Sequence, residues 1–174
     1  MLFLIPILAL AVFFDLRERR IPNSLILVGL VAGLVVSIMA SGMQGLLAAL
    51  GGIAIGAGAF VPFFALRWLG AGDVKLMGVV GGFVGLGGIG PVLLYTLLAG
   101  GIVGAVAVLA SGRTIPFFSN LWRGIRSLTV LKMTGELPIK ESTSGQGAGG
   151  SVLRIPYAVA IAAGTIAWML QKSP

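Results

Sequence analysis

Long apolar stretches with few charges limit what this chain can fold into. Of its 174 residues, 57% are hydrophobic and 10% are charged, and the mean hydropathy is +1.08, whereas a soluble domain carries about 25% charged residues. Inside a bilayer no water satisfies the backbone, so such a sequence forms helices or a closed barrel. The apolar runs lack two-residue alternation, which favours helices. The sequence therefore predicts an all-α membrane protein.

Charged or turn-rich breaks divide the sequence into six predicted membrane spans, at 1–14, 24–41, 46–66, 74–89, 92–111 and 152–170. The loops that fall on one side are 15–23, 67–73 and 112–151, and Lys75 and Arg154 adjoin them. Lys172 alone lies on the other side, which leaves 11 of the 12 basic residues together. Basic loops are typically cytoplasmic, so we expect the N-terminus outside. The net charge of +7 thus indicates topology, and no nucleic-acid partner is expected.

The first apolar segment has an alternative interpretation as a signal peptide, because Ala9-Leu10-Ala11 resembles a cleavage site. It lacks a basic stretch at its start, and the arginines follow it instead, which favours a membrane span. At about 1.5 Å per residue, a helix over 1–14 covers roughly 21 Å of a hydrocarbon core of about 30 Å. A span this short would draw Asp15 into the membrane edge.

The loop 112–151 separates into two parts within what we expect to be a single membrane domain over 1–174. Residues 115–128 predict an interfacial amphipathic helix, whose apolar face consists of Phe118, Leu121, Trp122, Ile125 and Leu128. Residues 142–151 (STSGQGAGGS) have the composition of a flexible linker.

Glycines recur at four-residue spacing, which lets helices approach closely. The pairs are Gly52/Gly56, Gly78/Gly82, Gly81/Gly85 and Gly100/Gly104. The stretch Gly85–Gly90 is so rich in glycine that the fourth helix is expected to end or bend there.

Cysteine and histidine are absent from the whole chain. This excludes disulfides, thiolate nucleophiles, zinc sites built from Cys or His, and any catalytic triad with an imidazole base. Hydrolytic chemistry would then rest on carboxylates, or on Ser24 with Lys75 as a less favoured pair. We expect neither a metal nor another cofactor.

Asp15 closes the first span and Asp73 opens the fourth, so both reach the same predicted membrane face. Taken singly, Asp73 is explained as a helix N-cap, Asp15 as a boundary acid paired with Arg17 or Arg19, and Asn23 as the cap of the second helix. Together, two carboxylates sharing one proton supply the base and the acid of peptide hydrolysis. Such a pair titrates as a unit, which leaves the individual roles open.

Around these acids the sequence reads Asp15, Arg17 and Ile21-Pro22-Asn23, then Gly70-x-Gly72-Asp73-x-Lys75-Leu76. This pattern resembles the type IV prepilin peptidases and the related archaeal preflagellin peptidases. The closing segment from Arg154 also resembles that of the short peptidases found with Flp/Tad pili.

The resemblance implies catalysis by Asp15 and Asp73 at the cytoplasmic face of a bacterial inner membrane. Gly70 and Gly72 would admit the substrate backbone, and Lys75, Arg17, Pro22 and Asn23 would support the site. The substrate would be a lipid-embedded prepilin helix behind a basic leader. Larger relatives carry a cysteine-bearing insert and also N-methylate the pilin, so a chain without cysteine is expected to be a peptidase alone. The oligomeric state stays open.

Two other classes of protein fit the composition. A small ion-coupled transporter would carry acids near the bilayer midplane, but here no acid falls inside a predicted span. A non-catalytic scaffold of a pilus or secretion system would use the same acids only as helix caps. If replacing either carboxylate by a neutral group abolishes removal of the leader, the chain is a peptidase and neither a transporter nor a scaffold.

Overall fold

A computed structural model describes residues 3–66, 68–111 and 157–172, with the backbone alone for 107–111. These residues form four helices: α1 (Leu4–Glu18), α2 (Asn23–Ala65), α3 (Ala71–Ser111) and α4 (Tyr157–Lys172). No strand occurs in the described ranges, which agrees with the predicted all-α class. The amphipathic helix predicted at 115–128 and the linker predicted at 142–151 lie outside the described residues.

Residue contacts divide the chain into two units. One comprises Met1–Val103 with Pro156–Pro174, and the other comprises Gly104–Ile155. The first unit contains α1, α2, most of α3 and α4, and it holds every contact considered below. In the second unit the structure describes the end of α3, at 104–111.

Both long helices contain a sharp break at a glycine. In α2 the break is at Ser41 and Gly42, where Gly42 has φ 56° and ψ −133°, and in α3 it is at Gly85, with φ 68° and ψ −178°. Side chains rarely tolerate a positive φ of this kind, whereas glycine does. The bend predicted within Gly85–Gly90 is thereby confirmed. The breaks divide α2 into arms 23–40 and 43–65, and α3 into arms 71–84 and 86–111.

The arms of α2 fold back on each other and pack against the first arm of α3. Along 23–40, Gly29 faces Val79 and Gly33 faces Gly82, so this arm runs parallel to the first arm of α3. Along 43–65, the order is reversed, since Gly52 faces Gly81 and Gly56 faces Met77. The Ser37 hydroxyl donates a hydrogen bond of 3.0 Å to the Gly82 carbonyl. The close packing predicted for the pair Gly52/Gly56 is confirmed at its crossing with α3, where Gly81 is the partner of Gly52.

The second arm of α3 runs antiparallel to α4. Gly88 lies against Trp168, Thr96 against Gly164, and Gly100 against Tyr157. Helix α1 packs on α2 and α4 through a buried stripe at helical spacing, formed by Leu4, Ile7, Leu8 and Ala11. This packing brings the last turn of α1 to the first turn of α4.

Length and composition make two of the helices suitable for a membrane. Among the described residues, Asn23–Ala65 and Ala71–Val106 are long and apolar enough to cross one. Many large apolar side chains on these helices are exposed to the surroundings, including Leu27, Val31, Leu47, Leu94 and Ile102. A lipid environment would cover such surfaces.

Candidate functional site

Asp15 lies in the last turn of α1. The helix continues to Glu18, beyond the predicted boundary at residue 14, and ends where Arg19 adopts a left-handed conformation with φ 52°. The Arg19 amide donates a hydrogen bond of 3.0 Å to the Asp15 carbonyl, which closes the helix. The left-handed residue turns the chain out of α1 and leaves the Asp15 side chain half-buried.

Asp73 is the third residue of α3. Its carboxylate accepts a hydrogen bond of 3.1 Å from the Gly70 amide, and the Gly70 carbonyl accepts one of 3.1 Å from the Asp73 amide. An acid that reaches back to the amide preceding the helix forms half of a capping box. Asp73 therefore stabilises the start of α3, but from the third helical position and not from the N-cap position that the sequence predicted.

The segment after α1 and the segment before α3 contact each other directly. A Cβ atom on Gly72 would lie 3.3 Å from the Cβ of Ile21, so the glycine allows the two segments to meet. The Lys75 ammonium donates a hydrogen bond of 2.9 Å to the Asn23 side-chain oxygen. The predicted capping role of Asn23 is wrong, because α2 has no side-chain cap bond and this oxygen faces Lys75 instead.

Asp15 and Asp73 line one open cavity of about 280 Å³. Four of the predicted supporting residues line it with them, namely Asn23, Gly70, Gly72 and Lys75, as do Arg19, Arg20, Ile21 and Ala71. The structure therefore brings together two segments, 15–23 and 70–75, that are distant in the sequence.

Arg17 and Pro22, also predicted to support the site, lie elsewhere. The Arg17 guanidinium carbon is 5.9 Å from the centre of the Phe13 ring. Pro22 lines a separate, more apolar hollow that also contains Ser24. Because Ser24 lines this hollow while Lys75 lines the carboxylate cavity, the alternative Ser/Lys pair is not assembled in one cavity.

Burial disfavours the charged form of both carboxyls, which lie outside the predicted spans 1–14 and 74–89. The pKa of Asp73 is raised, chiefly because this side chain is only 9% exposed. The hydrogen bond from Gly70 opposes this increase, and the nearby charge of Asp15 adds to it. Burial also raises the pKa of Asp15, although a backbone hydrogen bond from Ala158 and the charge of Arg19 oppose the increase. Two such neighbouring groups retain a proton at higher pH than isolated carboxyls do.

Helix α4 contributes to the site a contact that the sequence did not indicate. The Ala158 amide donates a hydrogen bond of 3.3 Å to the Asp15 carboxylate. The ring of Tyr157 packs against Phe60, with 5.8 Å between ring centroids. The resemblance of the closing segment pointed to this region, but a backbone donor carries no side-chain signal in a sequence.

The site thus contains two neighbouring carboxyls with a tendency to retain a proton, within a cavity bordered by Arg19, Arg20 and Lys75. A carboxylate can take a proton from water and a carboxylic acid can give one to a leaving group.

Comparison with protein families gives a match over residues 2–108 to the type IV leader peptidase family. The chain belongs to this family.

Two curated proteins are similar to the chain, and both are named prepilin leader peptidase/N-methyltransferase. The Myxococcus xanthus protein is 32% identical over 126 residues, which cover 68% of this chain and 37% of the relative. The Xanthomonas campestris protein is 34% identical over 117 residues, covering 59% of this chain and 39% of the relative. The chain therefore spans less than two fifths of their length. No solved structure matches it.

Proposed function

We propose that this chain is an aspartic-type prepilin leader peptidase in which Asp15 and Asp73 are the catalytic carboxyls. The reaction is hydrolysis of the peptide bond between the basic leader and the apolar helix of a type IV, Flp-type prepilin. The observation that carries the proposal is the shared cavity lined by both acids. Family membership and the names of the two relatives support the substrate class.

The charges around the cavity suit a reaction on a peptide bond. Hydrolysis needs one group to activate water and another to protonate the departing amine. Two neighbouring carboxyls that hold one proton between them provide both. Lys75 is held by Asn23 and borders the cavity, where its positive charge lowers the repulsion between the acids when both are ionised.

The test is removal of each carboxylate without loss of its shape. We expect Asp15→Asn and Asp73→Asn each to reduce leader removal by at least about a thousandfold, as loss of an essential catalytic group does. The measurement is the size of a membrane-embedded prepilin after incubation with membranes that contain each variant. Wild-type protein and each variant are compared at equal membrane levels.

Glu18→Gln is the matched control. Glu18 is an exposed acid one turn from Asp15, and the same charge is removed without touching the cavity. This variant should cleave at the wild-type rate. Near-normal cleavage by either aspartate variant would contradict the proposal and would favour a scaffold whose acids only stabilise helices.

The proposed topology has six membrane spans, the N-terminus outside and the active site at the cytoplasmic face of the inner membrane. The breaks in α2 and α3 support this arrangement, because they give α1, four arms and α4. The chain contains no cysteine, so single cysteines can be introduced and labelled without background reaction at native cysteines. Cysteines at Glu18 and Trp68 should react only with reagents that reach the cytoplasmic side, and one at Met43, which is 70% exposed, only from the other side.

We further propose that the chain does not N-methylate the trimmed pilin. The cysteine-bearing insert associated with methylation has no counterpart in a chain without cysteine. The product of the reaction in the presence of S-adenosylmethionine should have the mass of the unmethylated pilin. The Myxococcus xanthus relative is the positive control, and a mass increase of one methyl group with this chain would contradict the proposal.

A further inference from the structure

The two carboxyls of the site have different surroundings. Asp15 is half-buried and accepts a hydrogen bond of 3.3 Å from the Ala158 amide of α4, 143 residues along the chain. Asp73 is only 9% exposed and accepts its bond from Gly70, directly before its own helix. The water that stabilises a carboxylate is therefore more available to Asp15.

The charged groups around Asp15 strengthen this difference. Arg19 lies one turn further along the chain, and its charge favours ionised Asp15. Arg20 and Lys75 also line the cavity, and Asp73 is the acid facing it from α3. On α4, Ala158 is the second residue of the described helix, and a helix start is electropositive. Next to it, Tyr157 carries a phenol, which is neutral near pH 7.

The start of α3 and the hydrogen bond from Gly70 also favour an anion at Asp73, so neither the helix starts nor the hydrogen bonds separate the two acids by themselves. Burial does separate them, because an ion loses more of its hydration in a less exposed position. Once Asp15 is ionised, its charge also disfavours a second anion at Asp73. The arrangement therefore stabilises one microscopic state of the pair, with the proton on Asp73.

We propose, building on the proposed peptidase function, that the Ala158 amide is a positioning group that holds Asp15 as the ionised base and leaves the proton on Asp73. Asp15 takes a proton from water while the water oxygen bonds to the scissile carbonyl carbon. Asp73 gives its proton to the leaving nitrogen as the carbon–nitrogen bond breaks. One water is consumed, and passage of the proton from Asp15 to Asp73 restores the starting state.

The test replaces the Ala158 amide by an ester, with lactic acid in place of alanine in the full-length chain. This removes the hydrogen that faces Asp15 and leaves the side chain unchanged. Loss of a hydrogen bond to a charged group shifts the pKa of that group by about one to two units. We therefore expect the acidic limb of kcat/KM for prepilin cleavage to move upward by about one to two pH units. The same ester at Val159 is the control and should leave the limb in place.

Arg19→Asn gives an independent result, because asparagine tolerates the left-handed conformation of Arg19 and removes the positive charge. It should also move the acidic limb upward, because that limb reports the ionisation of Asp15. This variant therefore tests the assignment of Asp15 as the base even if the ester protein is inactive at every pH. A lower rate with an unmoved limb in both variants would overturn the inference and leave the peptidase function intact. Failure of the peptidase function itself would appear differently, as unimpaired cleavage by Asp15→Asn or Asp73→Asn.

Discussion

Lys75 donates a hydrogen bond of 2.9 Å to Asn23, which joins the fifth residue of α3 to the first residue of α2. The two residues are 52 positions apart in the chain, yet each lies beside one carboxyl-bearing segment. Ile21 and Gly72 meet next to them. This bond therefore fixes the distance between the segment that follows Asp15 and the segment that contains Asp73.

Removing either partner of this bond should loosen the site. We expect Lys75→Gln and Asn23→Ala each to lower kcat/KM for prepilin cleavage by about twofold to tenfold, because the bond is exposed and a typical intramolecular hydrogen bond contributes about 0.5–1.5 kcal/mol. If the two side chains act only through their shared bond, the double variant should lose no more activity than the more impaired of the two single variants. Fully multiplicative losses in this double-mutant cycle would show that the two side chains act separately.

Local sequence signals predicted much of this arrangement. The two acids and the bend at Gly85 could be predicted because charge and glycine content act within a few residues. The break at Ser41 and Gly42 likewise falls at the predicted boundary between the second and third spans. These features depend on the backbone and on hydration, which a short window of sequence reflects.

Features that depend on tertiary packing could not be predicted in the same way. Asn23 was expected to cap its own helix, but its partner Lys75 comes from a helix that only folding brings close. The bond from Ala158 to Asp15 joins residues 143 positions apart. The motif predicts a supporting role for Arg17, although its guanidinium lies over Phe13.

The break at Gly85 should not tolerate a side chain. Its φ of 68° is the obstacle, because a Cβ there would meet Ala48 only at an ordinary contact distance of 3.6 Å. Gly85→Ala should lower the free energy of unfolding by about 1–3 kcal/mol through backbone strain. Thermal unfolding in detergent measures this loss.

Gly87→Ala is the matched control for that variant. Gly87 lies two residues further along α3, and a Cβ on it would have nothing within 4 Å. Its stability should stay unchanged or rise by up to about 1 kcal/mol, because alanine favours a helix. Equal melting temperatures for the two variants would contradict the importance of the break.

The crossing of α2 and α3 depends on Gly52. A Cβ on this residue would overlap the Gly81 carbonyl oxygen, so Gly52→Ala must push the two helices apart. We expect a loss of about 1–3 kcal/mol in the free energy of unfolding, as overpacking usually causes. Gly58→Ala is the control, since nothing lies within 4 Å of its added Cβ, and a loss as large in this variant would exclude the helix crossing as the cause.

The raised pKa of Asp73 predicts that this catalytic candidate lowers the stability of the fold at neutral pH. In the unfolded chain this carboxyl ionises near its ordinary pKa of 3.8, whereas in the folded protein burial raises its pKa. The unfolded state therefore binds fewer protons as pH rises above that value, and Asp73 lowers the stability of the fold there. Asp73→Asn removes the charge, so its melting temperature should exceed that of the wild type at pH 7, and the difference should shrink as the pH falls to 4.

Glu18→Gln again serves as the control for this effect. Glu18 is exposed, so its charge is hydrated in both states, and surface substitutions of this kind usually change stability by less than about 0.5 kcal/mol. Its melting temperature should follow that of the wild type across the pH range. If Asp73→Asn is less stable than the wild type at pH 7, the wild-type carboxylate stabilises the fold through its Gly70 hydrogen bond more than its burial destabilises the fold. A more stable but inactive Asp73→Asn protein would show that the buried carboxyl is retained for its chemistry.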